Sequence, residues 1–325
     1  MIGIIGEALI DFIAEGTGTV VSFDSAVGGC ALNAATAAAR QGSAVGFVGK
    51  ISADMFGVRM LEHLVTNQVL FDPTLCNAAE PSLLAFASLD AHGSASYAFY
   101  LDGSAPLALG KEELLSVLGE HSDLLAVHIG SLALTLEPSS SAILAALREY
   151  EPQPVIFLDP NVRPAVIADP EAFRARMAEA IELASIIKLS DEDLAYLYPD
   201  VDIQSQAEEL ARSQKKHVVL TLGRDGATWY TPAGESVSVP IIDLPVIDTV
   251  GAGDTFSGAI LTYLHDRGYF GAIGEQPALQ ELSVAVIEEV LRWASAASAV
   301  NCSRKGCDPP TKEEVAALLA DDRLP

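Results

Sequence analysis

Positive charge is scarce in this chain. Its 325 residues include 44 aspartates and glutamates but only 19 lysines and arginines, a formal net charge of −25. Nucleic acid needs a basic stripe and an anionic bilayer needs a basic face, so neither partner is expected. A small anionic ligand stays open, because a pocket can be locally positive while the whole is acidic, and the acidity itself reads as solubility. Cysteine is as sparse. Cys30, Cys76, Cys302 and Cys307 are scattered, and the C-x4-C pair has no second pair or nearby histidine to make a zinc site, so reduced thiols are expected. No apolar run reaches membrane-spanning length. The opening MIGIIGEALIDFI lacks a basic segment and carries Glu7 and Asp11, unlike a secretory signal, so the expected compartment is the cytoplasm. Several phosphate and dinucleotide devices are missing too. There is no GxxxxGK[ST] loop and no HRD or DFG, and GEALID follows the first apolar run where a dinucleotide fold would carry GxGxxG, which removes the fingerprint of a nicotinamide oxidoreductase.

What is present is a large core and a regular alternation. Half the residues are hydrophobic, enough for one large α/β domain or two small ones. Short apolar runs predict strands at 2–5, 44–49, 124–129, 155–159, 185–189 and 217–222, each followed by a helix or turn, and 31–41 predicts an alanine-rich helix stopped by Gly42. That alternation predicts a mostly parallel sheet covered by helices. Two places break it. TVVSF at 19–23, and the pair SLLAFASLD and SASYAFY joined by the turn AHG, lack crossover helices and read as antiparallel strands of a small second sheet. No repeat or linker divides the chain, so one domain over 1–325 is expected, with the small sheet inserted at about 12–26 and 80–104.

The segment most suggestive of chemistry is DTVGAGD, residues 248 to 254. It delivers Asp254 to the start of an apolar helical stretch, where unpaired amides and partial positive charge collect. Gly251, Ala252 and Gly253, almost without side chains, can hold a phosphate against those amides. A carboxylate beside a phosphate makes sense as a base that takes the proton of an attacking hydroxyl. The competing reading is a tight turn with Asp254 as a helix cap.

DTVGAGDTFSGA resembles the C-terminal signature of the ribokinase-like carbohydrate kinases, the PfkB family. VGGCALNAATAAARQGSAVGFVGKISADMFG, residues 27 to 57, is similar to their N-terminal signature. The resemblance runs over nearly the whole chain and implies a three-layer α/β/α sandwich with a small β-sheet lid, one face of which would form a homodimer contact. It implies ATP, Mg²⁺ and a monovalent cation such as K⁺ as cofactors, and a small sugar as substrate. By the same resemblance Gly251, Ala252 and Gly253 form the anion hole, Asp254 is the base, and Asp248 helps hold the monovalent cation, unless it only bonds local amides.

Sugar-binding roles follow for Asp11, read as ending the first strand region, and for Gly28, Gly29 and Asn33, the glycines doubling as a hinge for the lid. Asp11 as a surface aspartate and Asn33 as a helix cap are the plainer readings. Cys30-Ala31-Leu32 stands where many relatives carry Ala-Pro-Ala. Lys50 would reach substrate or phosphate, or simply face solvent. Phe99 would pack on the sugar, or in a core. DPNVR resembles the DPNxR segment of fructokinases and 2-keto-3-deoxygluconate kinases, with Arg163 as a planar donor fork. Enzymes for acid sugars pair that arginine with a second one in FYR; here the phrase is FYL, which favours a neutral sugar. KLSDED puts Ser190 and Asp193 where ribokinases have the NxxE motif that organises Mg²⁺. TLGRDGA brings Thr221, Gly223 and Gly226 along the nucleotide phosphates, or makes a hairpin, and Asn301 falls in the segment expected near adenine. The resulting expectation is an ATP-dependent sugar kinase of fructokinase type. Kinases of 2-keto-3-deoxygluconate, ribose or a nucleoside are the rivals, and a non-catalytic sugar sensor is the alternative from another class.

Overall fold

The computed structural model describes residues 1–15, 21–89, 95–121, 123–272 and 277–320. The expected AHG turn at 91–93 lies outside them, as does the start of TVVSF. The strands are β1 (Ile2–Ile5), β2 (Leu9–Glu15), β3 (Ser22–Gly28), β4 (Val45–Val48), β5 (Leu70–Phe71), β6 (Leu83–Leu89), β7 (Ala95–Tyr100), β8 (Ala126–Gly130), β9 (Val155–Asp159), β10 (Ile186–Ser190), β11 (His217–Thr221), β12 (Ala227–Tyr230) and β13 (Ser236–Val239). The helices are α1 (Cys30–Arg40), α2 (Met55–Thr66), α3 (Lys111–Gly119), α4 (Ser131–Thr135), α5 (Ser139–Glu149), α6 (Pro170–Leu183), α7 (Asp191–Leu197), α8 (Ile203–Gln214), α9 (Ala252–Asp266), α10 (Val284–Cys302) and α11 (Lys312–Leu319). None of these helices is long and apolar enough to cross a membrane.

Nine strands form the main sheet in the order β13-β12-β11-β10-β9-β8-β1-β4-β5, parallel except for the antiparallel edge made by β12 and β13. Successive side chains on a strand point to opposite faces, and the central strands are apolar on both. Ile2, Ile4, Phe157, Ile186 and Val219 join the core under α1, α9 and α10. Their neighbours Ile5, Leu158, Ile187 and Leu220 join a second core under α5, α6 and α8. One sheet with a dry layer on each face is the α/β/α sandwich.

The alanines of α1 allow α9 to come close. A Cβ on Gly258 would lie 2.8 Å from the Ala34 carbonyl oxygen and 2.8 Å from Ala37 Cβ, so the glycine of DTFSGA is required by helix packing. This contact brings the two signature segments together on one face of the main sheet.

The second sheet has the order β3-β2-β6-β7. Its first strand departs from expectation. Asp11 does not end β1 but lies within β2, because the chain turns at Gly6 to Ala8 and starts a new strand in a different sheet. Alternation sorts this sheet too. Leu9, Leu83 and Ala85 face inward with Phe99 and Leu101, whereas Phe12, Phe23, Phe86 and Tyr100 form an aromatic cluster on the other face. The register Asp11↔Ala85↔Phe99 puts Asp11 and Phe99 on the inner side.

Candidate active site

The carboxyl ends of the parallel strands converge under the second sheet, the usual opening for ligands in an open α/β fold. Glu7 follows β1, Asp159 ends β9, Ser190 ends β10 and Thr221 ends β11.

The glycine turn is strapped from behind by the C-terminal segment. Asp248 accepts hydrogen bonds from the Val250 amide at 3.0 Å and the Gly306 amide at 2.9 Å. Asn301, fully buried, donates to the Val250 carbonyl at 2.8 Å and accepts from the Asp308 amide at 3.0 Å. Gly251 has φ +73° and caps α9, and a Cβ there would run into Cys307 Sγ, so only glycine fits. The Ala252 amide turns back to the Thr249 carbonyl at 3.2 Å, while the helix start presents the amides of Gly253 and Asp254 outward.

Asp254 is not the cap of its helix. It sits within the first turn, buried, and its two carboxylate oxygens accept from two asparagines: Asn33 Nδ2 at 2.9 Å and Asn161 Nδ2 at 3.3 Å. Burial raises its pKa, and the negative Asp159 adds to the rise, while the bond from Asn33 and the charges of Arg163 and Lys188 oppose it. A raised pKa makes the carboxylate a stronger base toward a proton. Asn33 is not a cap either. Gly29 caps α1, and Asn33 lies inside the helix with its amide bonded to the Gly29 carbonyl at 2.8 Å.

Around Asp254 the structure gathers several of the expected sugar-binding residues. The Asp11 carboxylate lies against Gly28, where any Cβ would collide with it. Burial lifts its pKa to about 6, with the nearby Asp254 charge adding to the rise and Arg163 opposing it. Arg163 reaches Cys30 Sγ at 3.7 Å and the Val162 carbonyl at 3.3 Å. Burial disfavours the Arg163 charge, but Cys30, Asp254, Asp193 and Glu7 more than offset that.

Other expected residues take different places. Lys50 is engaged by Glu113 at 3.0 Å and the Ala108 carbonyl at 3.3 Å, because α3 presents a carboxylate to it. Asn301, expected in the segment near adenine, has no exposed surface and its amide is used on Val250 and Asp308, where it holds the glycine turn. Asp193 accepts from the Val162 amide at 2.7 Å and the Ser190 amide at 2.8 Å, making a capping box with Ser190 and tying the Arg163 loop to α7. Ser190 and Thr221 are direct partners in register. Thr221 to Gly226 forms a hairpin between β11 and β12, closed by the Leu222 amide on the Gly226 carbonyl at 2.8 Å. Among the described residues no group of three or more His, Cys, Asp or Glu side chains could hold a metal.

Three features escaped sequence reasoning. Asn161 adopts φ +43° and donates to Cys30 Sγ at 2.9 Å as well as to Asp254. Glu7, buried, accepts from the Cys30 amide at 3.3 Å and the Ala133 amide at 3.2 Å, and burial raises its pKa to about 7. Lys188 and Asp159 make a buried ion pair at 3.0 Å. Two of them left a trace: a lysine inside the apolar run SIIKL and an acid inside GEALI both require a buried partner.

A parallel α/β sheet, a glycine turn at a helix start and a buried carboxylate facing a polar cleft define a phosphoryl-transfer enzyme for small alcohols. Comparison with known proteins agrees. The model of the pfkB family carbohydrate kinases matches residues 1–314. The chain is 32% identical to a probable fructokinase of Arabidopsis thaliana, over 97% of this chain and 95% of that protein. Its fold superposes on an ATP-bound fructokinase of Xylella fastidiosa with a TM-score of 0.87 at 28% identity, covering 98% and 97% of the two chains. A fructokinase of Vibrio cholerae bound to fructose, ADP and calcium gives 0.79 at 25% identity over 98% of each chain. The chain belongs to the pfkB family of carbohydrate kinases. It is a sugar kinase.

Proposed function

We propose that this enzyme transfers the γ-phosphoryl group of ATP to a hydroxyl of fructose. The observation that carries the reading is Asp254: a buried carboxylate with an asparagine on each oxygen, set in the first turn of α9 beside the glycine turn and sharing its surroundings with Asp11 and Arg163. In this mechanism Asp254 takes the hydroxyl proton as the sugar oxygen attacks the γ-phosphorus. The bond to the β,γ-bridging oxygen breaks, ADP leaves, and the helix-start amides receive the charge of the transferring group. Asp11 accepts from the sugar hydroxyls, and Asn33 and Arg163 orient Asp254 and the substrate. Phe99 closes over the ring from the second sheet, which acts as a lid with Gly28 and Gly29 as its hinge.

Fructose is favoured by the similarity to fructokinases and by Leu101, which packs among the inner lid residues where an acid-sugar enzyme would carry a cation. Ser190, Thr221, Gly223 and Gly226, at the ends of β10 and β11, are the proposed nucleotide-facing residues. Mg²⁺ would come with the nucleotide phosphates and supply charge neutralisation there, with Asp193 as the proposed residue to orient its water. Asp248 keeps the turn in shape and is the proposed contact for the effect of K⁺. The outer lid face supports a homodimer: Phe23 is 48% and Tyr100 66% exposed in an otherwise aromatic cluster. Free thiols at all four cysteines suit the cytoplasm.

The test is ADP release with ATP and Mg²⁺ across fructose, ribose, 2-keto-3-deoxygluconate, nucleosides and fructose 6-phosphate, with and without K⁺. Strong turnover of fructose at low KM is expected. Preference for another sugar overturns the substrate, and silence across the panel overturns the sugar-kinase mechanism built on Asp254.

A further inference from the structure

Lysine is a poor choice for the middle of a parallel sheet, yet Lys188 sits on β10 with 4% of its surface exposed. Its ammonium is 3.0 Å from Asp159 Oδ2, and the same oxygen accepts from Ser257 Oγ of α9 at 2.9 Å. Asp159 is itself only 2% exposed. The cluster therefore ties the ends of β9 and β10 to the second turn of α9. It also lies directly beneath the catalytic turn: a Cβ on Gly253 would be 3.1 Å from Lys188 Nζ. A buried pair of this kind adds little stability by itself, since desolvating both charges consumes most of their attraction. Its position suggests another use.

We propose that Lys188 is a positioning residue of phosphoryl transfer: its ammonium, clamped by Asp159 against the underside of Gly253, supplies a fixed positive charge beneath the anion-binding turn and steadies Asp254 above it. The proposal rests on the sugar-kinase reading. Lys188 does not touch substrate and acts through Gly253 and α9. A cation held in a dry site needs no reorganisation when negative charge arrives on the turn, which is where an electrostatic contribution is largest. The surroundings are crowded with acids. Glu7 after β1, Asp11 on β2, Asp159 ending β9 and Asp193 on α7 all face the region of Asp254 and Lys188, with Cys30 of α1 and Cys307 beside them and Arg163 as the other cation. His128 on β8 lies near Lys188 and is held neutral by burial, its pKa lowered to about 3.

Lys188 and Asp159 pull on Asp254 in opposite directions: the lysine favours its ionised form and the aspartate opposes it. The test uses Lys188→Met, Asp159→Asn and the double variant in the full chain, with fructose and ATP as probes. In Lys188→Met the acid limb of kcat/KM should move to higher pH, and in Asp159→Asn to lower pH. A merely structural strut would lower stability in both and move neither limb. The double variant leaves no unpaired buried charge, so it should fold, with kcat reduced by about thirtyfold or more and the KM for fructose within about threefold of wild type. Calorimetry without sugar gives a readout independent of the acceptor: the double variant should bind ATP at least about fivefold more weakly while ADP binding holds within about twofold, since of the two charges removed the lysine's is the nearer to Gly253 and to the transferring group. A double variant with wild-type kcat, or with unchanged ATP affinity, overturns the proposal. Wild-type silence toward every sugar, with the ATP effect retained, would instead remove the acceptor reading and leave Lys188 in place.

Discussion

The glycine turn and the second sheet meet over the same cleft but are built on opposite principles. Residues 248 to 254 are tied to the C-terminal segment through Asp248, Asn301 and Ser298, backed by Cys307 and Lys188, and followed by a helix whose residues from Asp254 to Leu264 are all buried. The second sheet carries Asp11 and Phe99 on strands whose outer face is part exposed, and its β3 joins α1 through the glycines of residues 28 and 29. The first region presents charge-stabilising groups that need not move. In the proposed mechanism the second carries the sugar contacts, which would open for substrate and close for chemistry. Preorganisation on one side and mobility on the other is how a kinase keeps water from the phosphoryl group while still admitting an acceptor.

Substitutions on the two sides should then separate rate from affinity. The largest effect is expected for Asp254→Asn, which keeps shape but removes the base: kcat should fall by at least about a thousandfold while calorimetric ATP binding changes little. Retained turnover would take Asp254 out of its role. Next comes Gly251→Ala. The left-handed backbone disfavours a side chain by about 1–2 kcal/mol, and Cys307 must also shift, so kcat should drop about a hundredfold with a lower Tm and with fructose KM little changed. A rise in fructose KM alone would erase the contrast between the regions.

On the lid side, Gly29→Ala strains φ +105° and drives a Cβ to 2.6 Å from the Glu7 carbonyl oxygen. Its expected signature is the reverse, a rise of about tenfold in fructose KM with ATP KM held, about 1.4 kcal/mol of sugar-side binding. Phe99→Ala should raise fructose KM by several-fold and leave ATP binding unchanged; an effect on ATP would mean that the ring serves the main sheet.

The smallest effect is that of pH. As Asp11 takes a proton below about 6, fructose KM should rise while ATP affinity holds. Stability responds in the other direction. Asp11 and Glu7 both have raised pKa values in the fold, about 6 and about 7, so their contribution is full below the ordinary values of 3.8 and 4.5 and is lost as pH rises through the folded ones. Thermal melts of wild type and Glu7→Gln should differ in slope between those limits, the variant being flatter.

The turn was legible because its chemistry is local. DTVGAGD carries its glycines and its acid within one helix start, and six short apolar runs give the centre of the main sheet by composition alone. The hairpin reading of TLGRDGA also follows from a local glycine turn. Asp11 was placed on the wrong strand because the turn at Gly6 to Ala8 interrupts an otherwise continuous apolar run, and nothing nearby says that the chain changes sheets. The partners of Asn301 and Lys50 were not legible for a related reason. Those partners, Val250 and Asp308 for one and Glu113 for the other, come from segments whose proximity only packing decides.

By itself, then, the sequence determined the alternation of strands and helices and the family, and pointed to Asp254 as the candidate base, since periodicity and short motifs are properties of neighbouring residues. Tertiary structure alone decided that Asn33 and Asn161 would hold the two oxygens of Asp254, that Lys188 would stand beneath Gly253, and that Glu7 would be buried against Gly29 and Cys30. Those contacts join residues far apart in the chain, and the burial that gives them their strength exists only after the sheet and its helices have closed around them.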